Sequence, residues 1–213
     1  MTTTRESAAP RPFDAVLCDL DNVIRFYDTS GLAELERAAA LPVGTTEEVA
    51  FSPELDGPAL LGRVTVAQWV ESVATALAAG GGMSGATARA LATAFAEAPF
   101  AADEAVVGVL RAARAAGLVL VLVTNATQQL EDDLVSMGLS DLADHVVSSA
   151  RVGVAKPDRG IYEIAAGRAG VAPERCLFVD DRRENVEAAV ALGMTGVHYR
   201  EPADLRAALG FPA

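Results

Sequence analysis

The sequence predicts an α/β protein: a doubly wound parallel sheet, interrupted near its start by a block of helices. Three observations predict it. Short Val- and Leu-rich runs, at 13–18, 118–123 and 176–179, read as buried strands. From Asp103 onward such runs alternate with helix-length segments, a pattern that implies parallel strands with right-handed crossovers. Between about Tyr27 and Phe100 no strand pattern occurs, so that interval reads as a helical insertion.

Taken in order, Met1 to Pro12 is polar and lacks an apolar segment, so it reads as a flexible tail and not a secretory signal. The first strand then delivers two carboxylates, Asp19 and Asp21, where it should end. Residues two apart on a strand face the same way, so the pair can converge on one point. In the insertion, Gly31 to Ala40 has helical spacing and is stopped by Pro42 and Gly44. Thr45 to Glu48 opens a second helix, and Pro53 to Gly62 reads as loop or short helix. Thr65 to Ala79 carries Val66, Trp69, Val70, Val73 and Leu77 along one face. Gly80, Gly81 and Gly82 break that helix, and Ser84 caps another running to about Ala98. Helices are then expected at 103–116, 128–137, 158–170, 184–192 and 202–209. Strands are expected at 118–123, 145–147, 176–179 and 196–199.

Composition narrows the function classes. Hydrophobic residues make up 51% of the 213-residue chain and aromatics 5%, which suits Ala-faced helices on Val/Leu strands. The net charge of −12 argues against a nucleic-acid partner, and an anionic substrate would need a local cation or oriented amides. No apolar stretch is long enough to span a membrane, so a cytoplasmic protein is expected. Cys18 and Cys176 both fall in apolar strands and read as reduced core residues.

Three polar clusters follow the first at strand ends or in loops on the presumed same edge. Thr124-Asn125 ends the run LVLVLV, where a hydroxyl and helix-entry amides can hold a phosphate oxygen; the plain alternative is a helix cap. Lys156 precedes Pro157, which stiffens its loop and fixes where it points, although most lysines are solvated surface charges. Asp180 and Asp181 end the strand CLFV, with Asn185 a helical turn further on. Adjacent acids at a buried strand end repel each other unless a cation lies between them, which favours a metal site; the plain alternative is a helix cap.

The order Asp-x-Asp, Thr-Asn, Lys-Pro, Asp-Asp resembles the haloacid dehalogenase-like hydrolase superfamily, from Phe13 to about Tyr199. The resemblance implies a Rossmann-like core at 13–27 and 100–213 and a small helical cap of the first type at 28–99, within which 62–69 is similar to a stretch common in such caps. It also implies a Mg²⁺-dependent phosphatase acting on a small phosphorylated metabolite, a sugar phosphate among the candidates. Asp19 is then the nucleophile and Asp21 the general acid and base. Mg²⁺ is held by Asp19, the Asp21 carbonyl and Asp181, with Asp180 and Asn185 acting through water. Thr124, the Asn125 amide and Lys156 hold the phosphoryl oxygens. Family members usually carry Gly where this chain has Asn22, a residue that tolerates unusual backbone angles. Arg25, Phe26 and Tyr27 follow the catalytic pair and are candidates for substrate contact, whereas Trp69 is expected in the core of a cap helix.

The dehalogenase branch attacks carbon and needs neither a second Asp nor a metal, so Asp21 and the Asp180-Asp181 pair argue against it. A phosphoacceptor signalling domain has its acidic pair and phosphoacceptor in the reverse order and lacks a cap. A catalytically silent binding protein on the same fold would have no use for the full set of acids and lysine.

Overall fold

A computed structural model of the chain describes residues 12–80 and 82–210; the tail expected at the N-terminus lies outside them except for Pro12, as does Gly81. The sheet consists of β1 (Ala15–Cys18), β4 (Val119–Thr124), β5 (His145–Ser148), β6 (Cys176–Asp180) and β7 (Thr195–His198). Their order is β5-β4-β1-β6-β7, and every neighbouring pair is parallel. The first strand lies at the centre. The chain builds outward from it on one side and then returns to lay β6 on the other, so chain order reverses between β1 and β6.

Strand alternation sorts the core into two layers. Val16, Cys18, Leu120, Leu122, Leu177 and Val179 face a cluster that includes α6 (Glu104–Ala115), α7 (Leu130–Ser136) and α11 (Pro202–Leu209). Their neighbours Ala15, Leu17, Val121, Val123 and Phe178 face the opposite cluster, with α9 (Arg159–Ala169) and α10 (Arg183–Ala191). Both cysteines are free and buried, one in each cluster, so they cannot pair. Both faces being covered explains why these strands read as unbroken apolar runs.

The helical interval comprises α1 (Ser30–Ala38), α2 (Thr45–Ala50), α3 (Pro53–Leu60), α4 (Val66–Ala79) and α5 (Gly85–Ala96). These helices enclose a third cluster around Trp69, Val73, Leu77 and Leu91. A Thr65–Gln68 capping box starts α4, and Pro53 occupies the first turn of α3, so the undecided stretch at 53–62 is helical over Pro53–Leu60 and ends in a turn.

Two short strands and a short helix escaped the sequence reading. β2 (Arg25–Tyr27) pairs antiparallel with β3 (Phe100–Ala102), forming the two-strand stalk on which the helical block stands. A four-residue helix, α8 (Ser149–Val152), follows β5 and meets the block: a Cβ on Gly62 would lie 2.4 Å from the Ala150 carbonyl oxygen. Gly62 also has φ +67°, so both space and backbone call for glycine there.

Candidate active site

Asp19 stands one residue beyond β1, at the carboxyl edge where chain order reverses, the usual ligand crevice of open α/β sheets. Its N–H donates to the Val179 carbonyl at 2.9 Å, extending the ladder and fixing the backbone. Its Oδ1 accepts from the Leu20 amide at 2.8 Å and lies 2.6 Å from Lys156 Nζ. The same ammonium reaches Asp180 Oδ2 at 2.7 Å, so one buried cation bridges two buried carboxylates.

Lys156 is aimed by its backbone. Asn125 Nδ2 donates to the Lys156 carbonyl at 2.9 Å, and the Lys156 amide donates to Asn125 Oδ1 at 2.7 Å. The Asn125 side chain thus positions the lysine. Asp180 also accepts from the Arg182 amide at 2.8 Å and from Asn185 Nδ2 at 3.0 Å, which holds it in one orientation. Thr124 is buried at the end of β4, and its hydroxyl has no hydrogen-bond partner among the described residues.

The charges do not balance. Burial pushes the Asp19 carboxyl up to about 7, with Asp180 and Asp21 adding to the rise and Lys156 opposing it. Burial also raises Asp181, with Asp180 adding and a hydrogen bond to Asn22 opposing. Burial pulls Lys156 down, but Asp19 and Asp180 outweigh it and hold the ammonium charged. Ligand atoms of Asp19, Asp180 and Asp181 lie within 4.8 Å of one another. An all-oxygen, acidic donor set of that size fits a hard divalent cation such as Mg²⁺. Asn22 adopts φ +59°, so the left-handed turn after Asp21 forms without glycine.

Asp21 is gripped by a residue assigned no such task from the sequence. Arg25 Nε and Nη2 donate to Asp21 Oδ1 and Oδ2 at 2.6 and 3.0 Å, a two-pronged pair. Arg25 Nη1 donates to Asp133 on α7 at 2.6 Å. The guanidinium packs against Tyr27 and Phe100 at 5.0 and 5.2 Å from their ring centres. Its Nε, Nη1 and Nη2 are thus all directed at the protein's own acids. Trp69 is buried among the block helices, as expected, and also borders a cavity of about 410 Å³ between the block and the sheet edge.

Residues 13–193 match the family profile of haloacid dehalogenase-like hydrolases. The chain is 31% identical over 187 residues to the phosphatase MT3486 of Mycobacterium tuberculosis, covering 84% of each protein. It is 33% identical over 100 residues to the sesquiterpene phosphatase astK of Aspergillus oryzae, a match spanning 46% of this chain and 51% of that protein. Among solved structures, a Bacteroides thetaiotaomicron HAD family enzyme in complex with magnesium and inorganic phosphate superposes with TM-score 0.67 at 19% identity, covering 88% and 94% of the two chains. An L-2-haloacid dehalogenase of Xanthobacter autotrophicus superposes with TM-score 0.61 at 22% identity, covering 86% and 76%. At such identities both structures speak to the fold. No helix among the described residues is long and apolar enough to cross a membrane.

Proposed function

The chain belongs to the haloacid dehalogenase-like hydrolases, and on that premise we propose that it is a phosphatase cleaving a small organic phosphate monoester by way of a phosphorylated Asp19. The observation that carries this reading is the buried Asp19–Lys156–Asp180 bridge with Asp181 beside it, next to a second acid, Asp21. A carboxylate attacking an anionic phosphate faces repulsion; Lys156 beside Asp19, and a divalent cation that the clustered acids would hold, would offset it.

In the first step an Asp19 carboxylate oxygen bonds to phosphorus and the bond from phosphorus to the alcohol oxygen breaks. Asp21 enters this step carrying a proton on a lone pair that Arg25 leaves free and gives it to the departing oxygen. In the second step Asp21, now ionised, takes a proton from water, which attacks phosphorus and releases inorganic phosphate and the Asp19 carboxylate. Lys156 holds a phosphoryl oxygen beside Asp19, and the unpartnered Thr124 hydroxyl and the backbone amide of Asn125 hold others. Arg25 keeps Asp21 turned toward the departing oxygen. Asp19, the Asp21 carbonyl and Asp181 would hold Mg²⁺, with Asp180 and Asn185 behind them; when bound, it supplies positive charge against the phosphoryl oxygens. The helical interval 28–99 serves as a cap that shields the site from water and selects the alcohol.

The test is hydrolysis of p-nitrophenyl phosphate and acetyl phosphate with Mg²⁺ or with chelator, alongside Asp19→Asn. Chelator and the variant should each abolish turnover, and phosphate should label the parent protein at Asp19. Activity indifferent to chelator, or halide released from 2-haloacids, would refute the reading.

A further inference from the structure

The proposed reaction does not name the alcohol released, and the cavity beside Asp21 carries that information. The stalk and the block wall it with aromatic rings: Phe26, Tyr27 and Phe100 from the stalk, Phe51, Trp69 and Phe95 from the helices. Several meet edge to face, with ring centres 5.5 Å apart for Phe51–Phe95 and 5.6 Å for Tyr27–Phe100. Phe26, Tyr27 and Phe51 are 42%, 42% and 54% exposed, the most exposed aromatic residues among those described, and all three border this cavity. Large rings left in water around one opening mark a place where apolar surface is covered by a ligand.

The charges around it select further. Arg25 is the one cation among the described lining residues, and its Nε, Nη1 and Nη2 all donate to Asp21 or Asp133. Glu47 and Asp56 add two carboxylates to the wall. Burial raises the Asp56 carboxyl to about 6 against the pull of Arg182, so this wall already resists negative charge. A leaving group with a second phosphate or a carboxylate would meet these acids and, among the described lining residues, no cation that is not already paired. The carbon faces of the six rings offer a sugar's hydroxyls no hydrogen-bond partner, so hydroxyls laid against them lose water uncompensated.

Resting on the phosphatase reading, we infer that the released alcohol is hydrophobic, aromatic or branched aliphatic, and carries no second anionic group. The decisive comparison uses 2-phenylethyl phosphate, glucose 6-phosphate and phosphoglycolate, which all release primary alcohols, with acetyl phosphate as a probe too small to fill the cavity. The parent protein should show kcat/KM at least tenfold higher for 2-phenylethyl phosphate than for the other two alcohol esters. Phe51→Ala, an exposed position, should lower kcat/KM for 2-phenylethyl phosphate severalfold through KM, and by more than for acetyl phosphate. Phe51→Arg should raise phosphoglycolate relative to 2-phenylethyl phosphate by supplying the missing cation. Thermal melts establish that both variants are folded. Acetyl phosphate hydrolysis with glucose 6-phosphate or phosphoglycolate equal to or better than 2-phenylethyl phosphate would overturn the inference and leave the phosphatase reading intact. No turnover of any ester would overturn both.

Discussion

The sheet edge and the helical block meet at one cavity and are finished in opposite ways. At the sheet edge, polar atoms are braced against one another: Lys156 between Asp19 and Asp180, its backbone clamped by Asn125, and Asp180 held by Asn185 and the Arg182 amide. On the side of the stalk and block, Phe26, Tyr27 and Phe51 stand open to water. The contrast separates two demands. Reacting atoms need fixed positions before substrate arrives, because arranging charges during the reaction adds to the barrier. A recognition wall gains by leaving apolar area uncovered until the ligand covers it.

Breaking the braced side should cost most. Lys156→Ala leaves two buried carboxylates unpaired, and a rate loss of order 10²–10³ on p-nitrophenyl phosphate is expected. Urea melts should also show about 3–5 kcal/mol less stability. Excess Mg²⁺ should partly restore an Asp181→Ala variant and leave Lys156→Ala inactive; equal rescue would show that the two residues share one task. Asp21→Asn sharpens the same contrast within the chemistry. Its loss should be about tenfold or more larger on an alkyl phosphate than on p-nitrophenyl phosphate, whose leaving group needs little protonation.

Smaller effects belong to the block and its contact with the core. Gly62→Ala forces a side chain into a left-handed backbone and against the Ala150 carbonyl. The backbone alone should cost about 1–2 kcal/mol, read as a lower melting temperature. Asp56→Asn should be the mildest. The folded-state value of this carboxyl is raised to about 6, so its ionisation weakens the fold: the penalty is absent below about pH 4 and full above about pH 6. The variant should therefore gain stability over the parent as pH rises through that window, by about 1 kcal/mol once exposure to solvent is allowed for. A difference independent of pH would remove Asp56 from the account.

Much of the sheet edge was legible in sequence because each functional group follows a strong local signal. LVLVLV before Thr124 and CLFV before Asp180 are buried strands whose ends can be counted, and parallel pairing brings those ends to one edge. The grip on Asp21 was illegible for the opposite reason. Arg25 and Asp133 are 108 residues apart and meet only because α7 returns beside the first strand's exit. The stalk strands are three residues each, too short to display a period. The cavity's rings come from 26, 27, 51, 69, 95 and 100, positions with no common spacing, united by the fold of the block alone.

Arg25 holds two memberships. Its backbone belongs to the stalk, paired with Ala102, while its side chain grips Asp21. Asp19, by contrast, is tied through its own N–H to the sheet interior at Val179. Asp19 and Asp21 are therefore held by different supports, one tied to the sheet and one gripped from the stem that bears the helices. Because the same guanidinium also holds Asp133 on α7, the clamp on Asp21 doubles as a rivet that fastens the stem under the helices back onto the core.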